Sequence, residues 1–304
     1  MNDFKEVYDK IYPELKMLYD NEIEEMNKKV DVKKSKLLKI IAILDIIIII
    51  ALLVIIKINL IMITINITIF LVIFSFVIYS CSFFKEKREI NKRFKNVVIT
   101  KLIDNVYEEK CVLNMDRGIT QKEYNASVYG DMYNRYYSKD LVYLKESKLF
   151  FSEVLVQYYS SNGKNSTTTT VFQGIAGQKQ LSKEINCNIS ILSNRLFMDS
   201  RVKLDSSEFE KYFDIKSKDK ILAMRFLTAD IMQMMVALRE RYDCRFELGI
   251  VRQVLYFRIS TYNDFFETPN VKKGLDIEYL KKNTDILLQI KKLTTLINDV
   301  VKEI

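Results

Sequence analysis

The chain predicts an α+β fold carried on a helical membrane hairpin, and three observations predict it. A nearly unbroken Ile, Leu, Val and Phe run fills positions 40–84, short β-rich runs recur beyond Ile119, and a seven-residue apolar repeat closes the sequence. At 304 residues, 49% hydrophobic and 28% charged, the chain holds a membrane anchor plus one sizeable packed core. The expected division is 1–36, a cytosolic amphipathic helix; 37–84, the transmembrane hairpin; 85–118, a helical stalk; and 119–304, the cytosolic α+β domain.

The first element follows from Phe4, Val7, Tyr8, Ile11, Leu15, Leu18 and Tyr19, which recur at helical spacing with charges of both signs between them. Pro13 falls inside that pattern and predicts a kink or a later start. Mixed charge on the polar face favours packing on protein over lying on lipid, where a basic face is usual.

The apolar run is too long for one span. At about 1.5 Å per residue a single helix would reach about 67 Å, roughly twice the hydrocarbon thickness, so the run must double back. Lys57-Ile58-Asn59 supplies the turn and gives spans near 38–56 and 60–84. Lys33, Lys34, Lys36 and Lys39 precede the hairpin and Lys85, Lys87, Arg88, Lys92, Arg93 and Lys95 follow it, against Lys57 alone at the turn. The positive-inside rule then places both flanks, and both chain ends, in the cytoplasm, with an anionic inner leaflet as the expected partner of the basic residues. The formal charge of +8 is assigned to that lipid surface in preference to nucleic acid. Asp45 stands inside the first span and is a candidate intramembrane functional residue. The competing reading is structural, a shallow hydrated carboxylate that meets Tyr79, Ser80 or Lys85.

Beyond the hairpin, Ile90, Phe94, Val97, Val98, Leu102 and Val106 continue a helical stripe into the stalk. Leu149–Tyr159 and Thr169–Ile175 read as a hairpin around the polar loop Ser160–Thr168, and Cys244–Ile250 with Gln253–Ile259 as a second. Ile189–Leu192 and Arg201–Leu204 read as further strands. Asp205–Tyr212 reads as a helix with Asp205 and Glu208 in capping-box spacing, and Ala229–Tyr242 as another. The long final helix repeats Ile286, Leu293 and Val300 every seven residues, and likewise Ile290, Ile297 and Ile304. This candidate assembly stripe pairs as a coiled coil or covers the domain's own core.

Composition removes several chemistries. The chain has no histidine, which excludes a His general base and His metal ligands. Its seven glycines form neither a P-loop nor a dinucleotide fingerprint. Cys81, Cys111, Cys187 and Cys244 are dispersed, without CxxC, and read as free thiols. Ser161-Asn162-Gly163-Lys164 meets serine–lysine spacing without its companion motifs and reads as chance. The candidate interaction surface is Tyr133, Arg135, Tyr136 and Tyr137, since tyrosine offers broad amphipathic contact; the same residues also suit a loop that caps the core.

Gly118-Ile119-Thr120 with Tyr124 and Ser127, Phe151-Ser152-Glu153-Val154, Val171-Phe172-Gln173-Gly174, and Val202-Lys203-Leu204-Asp205 followed by Phe209 and Phe213 resemble words of the bacterial domain-of-unknown-function 3137 family, as does a late hairpin ending near Phe265. The resemblance implies an N-terminal helix, a two-span hairpin and one cytosolic α+β domain, with no established activity and no catalytic residue to carry over. The chain departs from it after Lys139-Asp140-Leu141-Val142, where Tyr143 and Leu144 stand in place of an expected glycine turn.

These features point to a non-enzymatic, membrane-tethered module that binds a protein partner, itself or a ligand, with no cofactor. A carboxylate or serine hydrolase and an oligomeric channel lined by Asp45 are the alternatives.

Overall fold

A computed structural model describes residues 2–55, 61–163, 165–193, 202–242, 244–261, 265–267 and 275–304, with side chains omitted at 2–4, 51–55, 61–68, 71, 72, 76, 78, 82 and 83. The chain forms two compact units. One comprises Met1–Ile11, Thr100–Glu267 and Ile277–Ile304; the other comprises Tyr12–Ile99 and Thr268–Asp276.

The first unit is built on an eight-stranded antiparallel sheet: β1 (Cys111–Asn114), β2 (Arg135–Leu144), β3 (Leu149–Ser161), β4 (Ser166–Gln180), β5 (Ile189–Ser193), β6 (Phe213–Ser217), β7 (Phe246–Val251) and β8 (Val254–Ser260). Their order across the sheet is β1-β2-β3-β4-β8-β7-β5-β6. Both expected hairpins are present. β3 pairs with β4 down to Ser161 opposite Ser166, so the polar stretch read as a loop is mostly strand. Its threonines are β-branched and hold an extended backbone without burial. β7 turns into β8 through Arg252, whose φ of 55° marks a tight turn, with Val251 opposite Val254.

Helices cover both faces. Ile119 and the short helix α5 (Gln121–Asn125) pack on the face that carries Val154, Val156, Phe172 and Ala176. α5 begins at a capping box in which Thr120 and Glu123 satisfy each other's backbone N–H. The opposite face carries Phe151, whose ring meets Tyr107 of α4 (Thr100–Tyr107) and Phe266. The long helix α9 (Ile277–Glu303) packs on α4 and on α8 (Ala229–Tyr242), and Tyr107 donates to the Leu287 carbonyl at 3.3 Å.

Several expectations need correction. Strands β1, β2 and β6 and helix α7 (Lys220–Phe226) were not legible, and Cys111–Asn114 enters the sheet from within the stretch expected to be a helical stalk. The expected strand at Arg201–Leu204 is absent over its described residues, where Val202 makes a single backbone bond to Ile215. The helix after it is only α6 (Ser207–Glu210), capped by Ser206 through the Phe209 N–H; the Asp205–Glu208 box does not form. Glu210 instead accepts from the Leu204 N–H at 2.6 Å. Where the family pattern implies a glycine turn, β2 simply continues through Tyr143 and Leu144.

The second unit is helical. After α1 (Asn2–Leu18), which runs through Pro13, a π-helical turn at Tyr19–Glu24 leads into α2 (Glu25–Ile55). α3 (Ile61–Phe94) returns and ends in a second π-helical turn, Lys95–Ile99. The two are antiparallel: Lys33 pairs with Glu86, Lys34 lies over the Tyr79 ring, and Ser75 donates to Asp45. At the charged end Leu15, Tyr19, Ile23, Ile90, Phe94 and Val98 are buried, with Tyr19 and Phe94 edge to face. Further along, Ile40, Ile43, Leu44, Ile46, Ile47 and Ile50 on α2 and Ile69, Phe70, Ile73 and Phe74 on α3 are each more than half exposed. Among the described residues no single helix is long and apolar enough to cross a membrane. The expected turn at Lys57-Ile58-Asn59 lies outside the described residues.

Candidate functional site

A cleft of about 320 Å³ opens on the Phe151 face of the sheet, beside the segment 265–267. Tyr137, Lys139, Glu153, Leu155, Gln173 and Thr261 line it. Local backbone features place these groups. A register shift between Lys139 and Val142, with Asp140 at φ 58°, bulges β2 at this point. Gly174 has φ +152°, and a Cβ there would stand 2.1 Å from the Ile259 carbonyl oxygen. Only glycine lets β8 close on β4 at the cleft edge.

Lys139 lies opposite Glu153 in the ladder, and its Nζ stands 3.3 Å from Glu153 Oε2 and 2.7 Å from Glu267 Oε1. Glu153 is buried and its Oε1 accepts from the Phe266 N–H at 2.7 Å, so its position is fixed by backbone. Nearby, burial pushes the Tyr279 phenol well above its ordinary range; an Asn283 hydrogen bond opposes this, and the negative charges of Glu153, Glu267 and Asp140 add to it. An ammonium held between two carboxylates is a bound cation without a free electron pair, so the recess is suited to holding a polar group rather than attacking one.

The residues singled out in the sequence occupy different places. Tyr133 and Tyr136 pack against the buried cluster under α5, and their hydroxyls donate to Asn125 Oδ1 and to the Ile119 carbonyl, each at 2.6 Å. Arg135 stacks 3.9 Å over the Tyr159 ring, and Tyr137 stands exposed at the cleft. Asp45 accepts from Ser75 at 3.4 Å, not from Tyr79, Ser80 or Lys85. On α9, Ile286, Ile290, Leu293, Ile297 and Val300 are buried inside the chain and Ile304 is half-buried, so this stripe covers the domain's own core. The serine–lysine motif lies at the β3–β4 turn, and its Lys164 falls outside the described residues. All four cysteines carry free thiols.

A buried polar cluster escaped sequence reading. Arg258 of β8, fully buried, forms ion pairs with Glu247 of β7 and with Asp131, and donates to the Tyr124 hydroxyl. Its guanidinium lies 4.1 Å from the Tyr129 ring centroid and 4.9 Å from that of Phe172. Arg245 adds a second cation, 2.8 Å from Glu247. Burial alone would raise the Asp131 carboxyl, yet Arg258, Tyr124 and Arg245 together hold it below the usual carboxylate range. The signal was present: Arg258 interrupts Leu255–Ile259, and Glu247 interrupts Phe246–Ile250.

Comparison with known proteins bears on this unit. A family described as Protein of unknown function (DUF3137) matches residues 170–302. Over residues 170–302 the chain is similar to that family. This DUF3137 segment contains the words Val171-Phe172-Gln173-Gly174 and Val202-Lys203-Leu204-Asp205, and it supplies Gln173, Thr261 and Glu267 to the cleft. Lys139 and Glu153 come from strands that precede it. No curated protein matches the chain. A solved structure, the crystal structure of the mycobacterial trehalose monomycolate transport factor A, TtfA, aligns over 66% of this chain and 94% of its own at 9% identity. Its TM-score of 0.32 is too low to carry any argument for the DUF3137 segment.

Proposed function

We propose that this chain is a non-enzymatic binding module anchored in a membrane by its helical hairpin, with both flanks on the cytoplasmic side. One observation carries the reading: the paired helices α2 and α3 expose isoleucine, leucine and phenylalanine along the stretch where the sequence is most apolar. Monomeric proteins in water rarely expose contiguous apolar patches of such extent, whereas lipid is the solvent that suits them. The exposed residues described on α2 end at Ile50, and the sequence continues through Ala51-Leu52-Leu53-Val54-Ile55, so the apolar run is longer than its described part. The lysines at the other end of the same helices, Lys33 and Lys36 on α2 and Lys85 and Lys87 on α3, give the polarity that the positive-inside rule reads.

The binding role rests on the α+β unit. A polar recess in that unit holds a paired lysine beside an exposed tyrosine, a setting for recognition of a protein segment or a small polar ligand. Tethering would confine that recess to a thin shell at the membrane and raise its effective concentration toward partners there. The full-length chain should stay with vesicles through an alkaline carbonate wash, and protease added outside intact cells should leave its C-terminal portion whole. Release by carbonate, or external digestion of that portion, refutes the anchor and its orientation.

A further inference from the structure

The β3–β4 hairpin outruns its sheet. β8 stops at Ser260, opposite Gly174, and Thr261 donates to the Gln173 carbonyl at 3.0 Å. Beyond that point, on the side of β4 away from β3, no described strand lies against Ser166–Thr170. On the β3 side the position is different: Asn134 closes the edge, donating from its backbone to the Gln157 carbonyl and exchanging side-chain bonds with Tyr159. Among the described residues one edge of the ribbon is sealed at Gln157 and Tyr159 and the other is open.

The direction of the open groups follows from the ladder. Tyr159 turns its N–H and C=O outward, toward Asn134, so Tyr159 and its register partner Thr168 form a non-hydrogen-bonded pair. Thr168 therefore turns its own N–H and C=O the other way, off the free edge of β4, and Ser166 and Thr170 do the same by the two-residue period of a strand. Native sheets guard such edges with lysine, proline or inward charge. Ser166-Thr167-Thr168-Thr169-Thr170-Val171 has none of these. An isolated two-stranded ribbon is at best marginally stable in water, and this one is exposed along its whole projecting part of β4.

We propose that the free edge of β4 pairs antiparallel with the same edge of a second copy of this chain, about a two-fold axis through Thr168. Self-pairing fits because the segment is uncharged and nearly palindromic in type: Thr168 meets Thr168, Thr167 meets Thr169 and Ser166 meets Thr170, giving Thr–Thr and Ser–Thr cross-strand pairs without like charges. About six main-chain hydrogen bonds would form across the axis. An isologous contact of this kind closes at the dimer, so it does not propagate. The proposal stands independently of the membrane reading.

The test uses the full-length chain in detergent. Thr168→Cys should form an intermolecular disulfide under mild oxidation, since a hydrogen-bonded antiparallel pair holds its Cα atoms about 5.5 Å apart, within disulfide reach. Mass spectrometry of the 168–168 peptide separates it from links through the four native cysteines. Thr168→Pro removes one outward N–H and leaves the β3–β4 ladder intact, so it should convert dimer to monomer by light scattering with an unchanged circular dichroism spectrum. Thr168→Lys should do the same by charge. A wild-type chain that is monomeric throughout, a dimer indifferent to both variants, or capture of a different polypeptide by a photo-crosslinker at position 168 overturns the proposal.

Discussion

Arg258 and Asp45 are the same event in sequence, a charge set inside an apolar run, and they have opposite surroundings. Arg258 lies under a full set of partners: two carboxylates, a phenol hydroxyl and two aromatic faces. Asp45 receives one long hydrogen bond, from Ser75, and is only half-buried between two helices whose neighbouring side chains are exposed. A packed sheet encloses a charge on every side, so counter-ions must come from the protein. A pair of helices leaves one side of each residue to its solvent, and the residue is judged by what that solvent is. The lesson is that an interrupted apolar run flags a functional or structural charge, while the element type decides how many partners it needs.

The comparison breaks first at Arg258. Arg258→Ala removes the buried cation shared by Glu247 and Asp131 and leaves them only the partly exposed Arg245, a situation that costs on the order of 3–5 kcal/mol. Chemical denaturation of the full chain should show a loss of that size in the sheet unit. A combined Arg258→Met, Glu247→Leu and Asp131→Asn exchange should recover much of it, because removing the cation together with both of its buried carboxylates avoids a stranded charge. A small loss for Arg258→Ala alone would show that water reaches the cluster.

A smaller, pH-dependent effect sharpens the same point. The Asp131 carboxyl titrates lower folded than unfolded, so its contribution is complete above the ordinary aspartate range and fades as pH falls through that range toward the folded value. Denaturation midpoints measured between pH 7 and pH 3 should fall for the wild type, and Asp131→Asn should flatten that slope. An unchanged slope would assign acid sensitivity to other carboxylates.

Much of the architecture was legible from period and punctuation. The α9 stripe was found with its spacing, and what remained open was whether it faced another chain or its own; burial of Ile297 and Leu293 decides that, and burial is not a sequence property. Strand β2 was hidden because its residues alternate between two partly covered faces; of the tyrosines that suit either a contact surface or a loop capping the core, Tyr136 on β2 and Tyr133 just before it pack against the core. The α6 cap fell one residue from its expected place because Asp205 and Ser206 are both good caps and only backbone geometry chooses. The Lys139 cleft was invisible for a different reason. Its members Lys139, Glu153 and Glu267 are separated by long stretches of chain, and the ladder alone brings the first two together.

The gentlest test concerns Asp45. If the hairpin lies in lipid, Asp45→Asn keeps a polar partner for Ser75 and removes only a charge that the protein leaves half-buried. Interhelical polar contacts in membranes average well under about 1 kcal/mol by double-mutant cycles, so thermal unfolding in detergent should move by about that or less. Asp45→Leu, which deletes the acceptor, should cost no more, because the Ser75 hydroxyl can return to a carbonyl of its own helix. A loss comparable to that of Arg258→Ala would mean that Asp45 is enclosed as tightly as the sheet charge, and therefore that the exposed face of α2 meets protein in the assembled state instead of lipid.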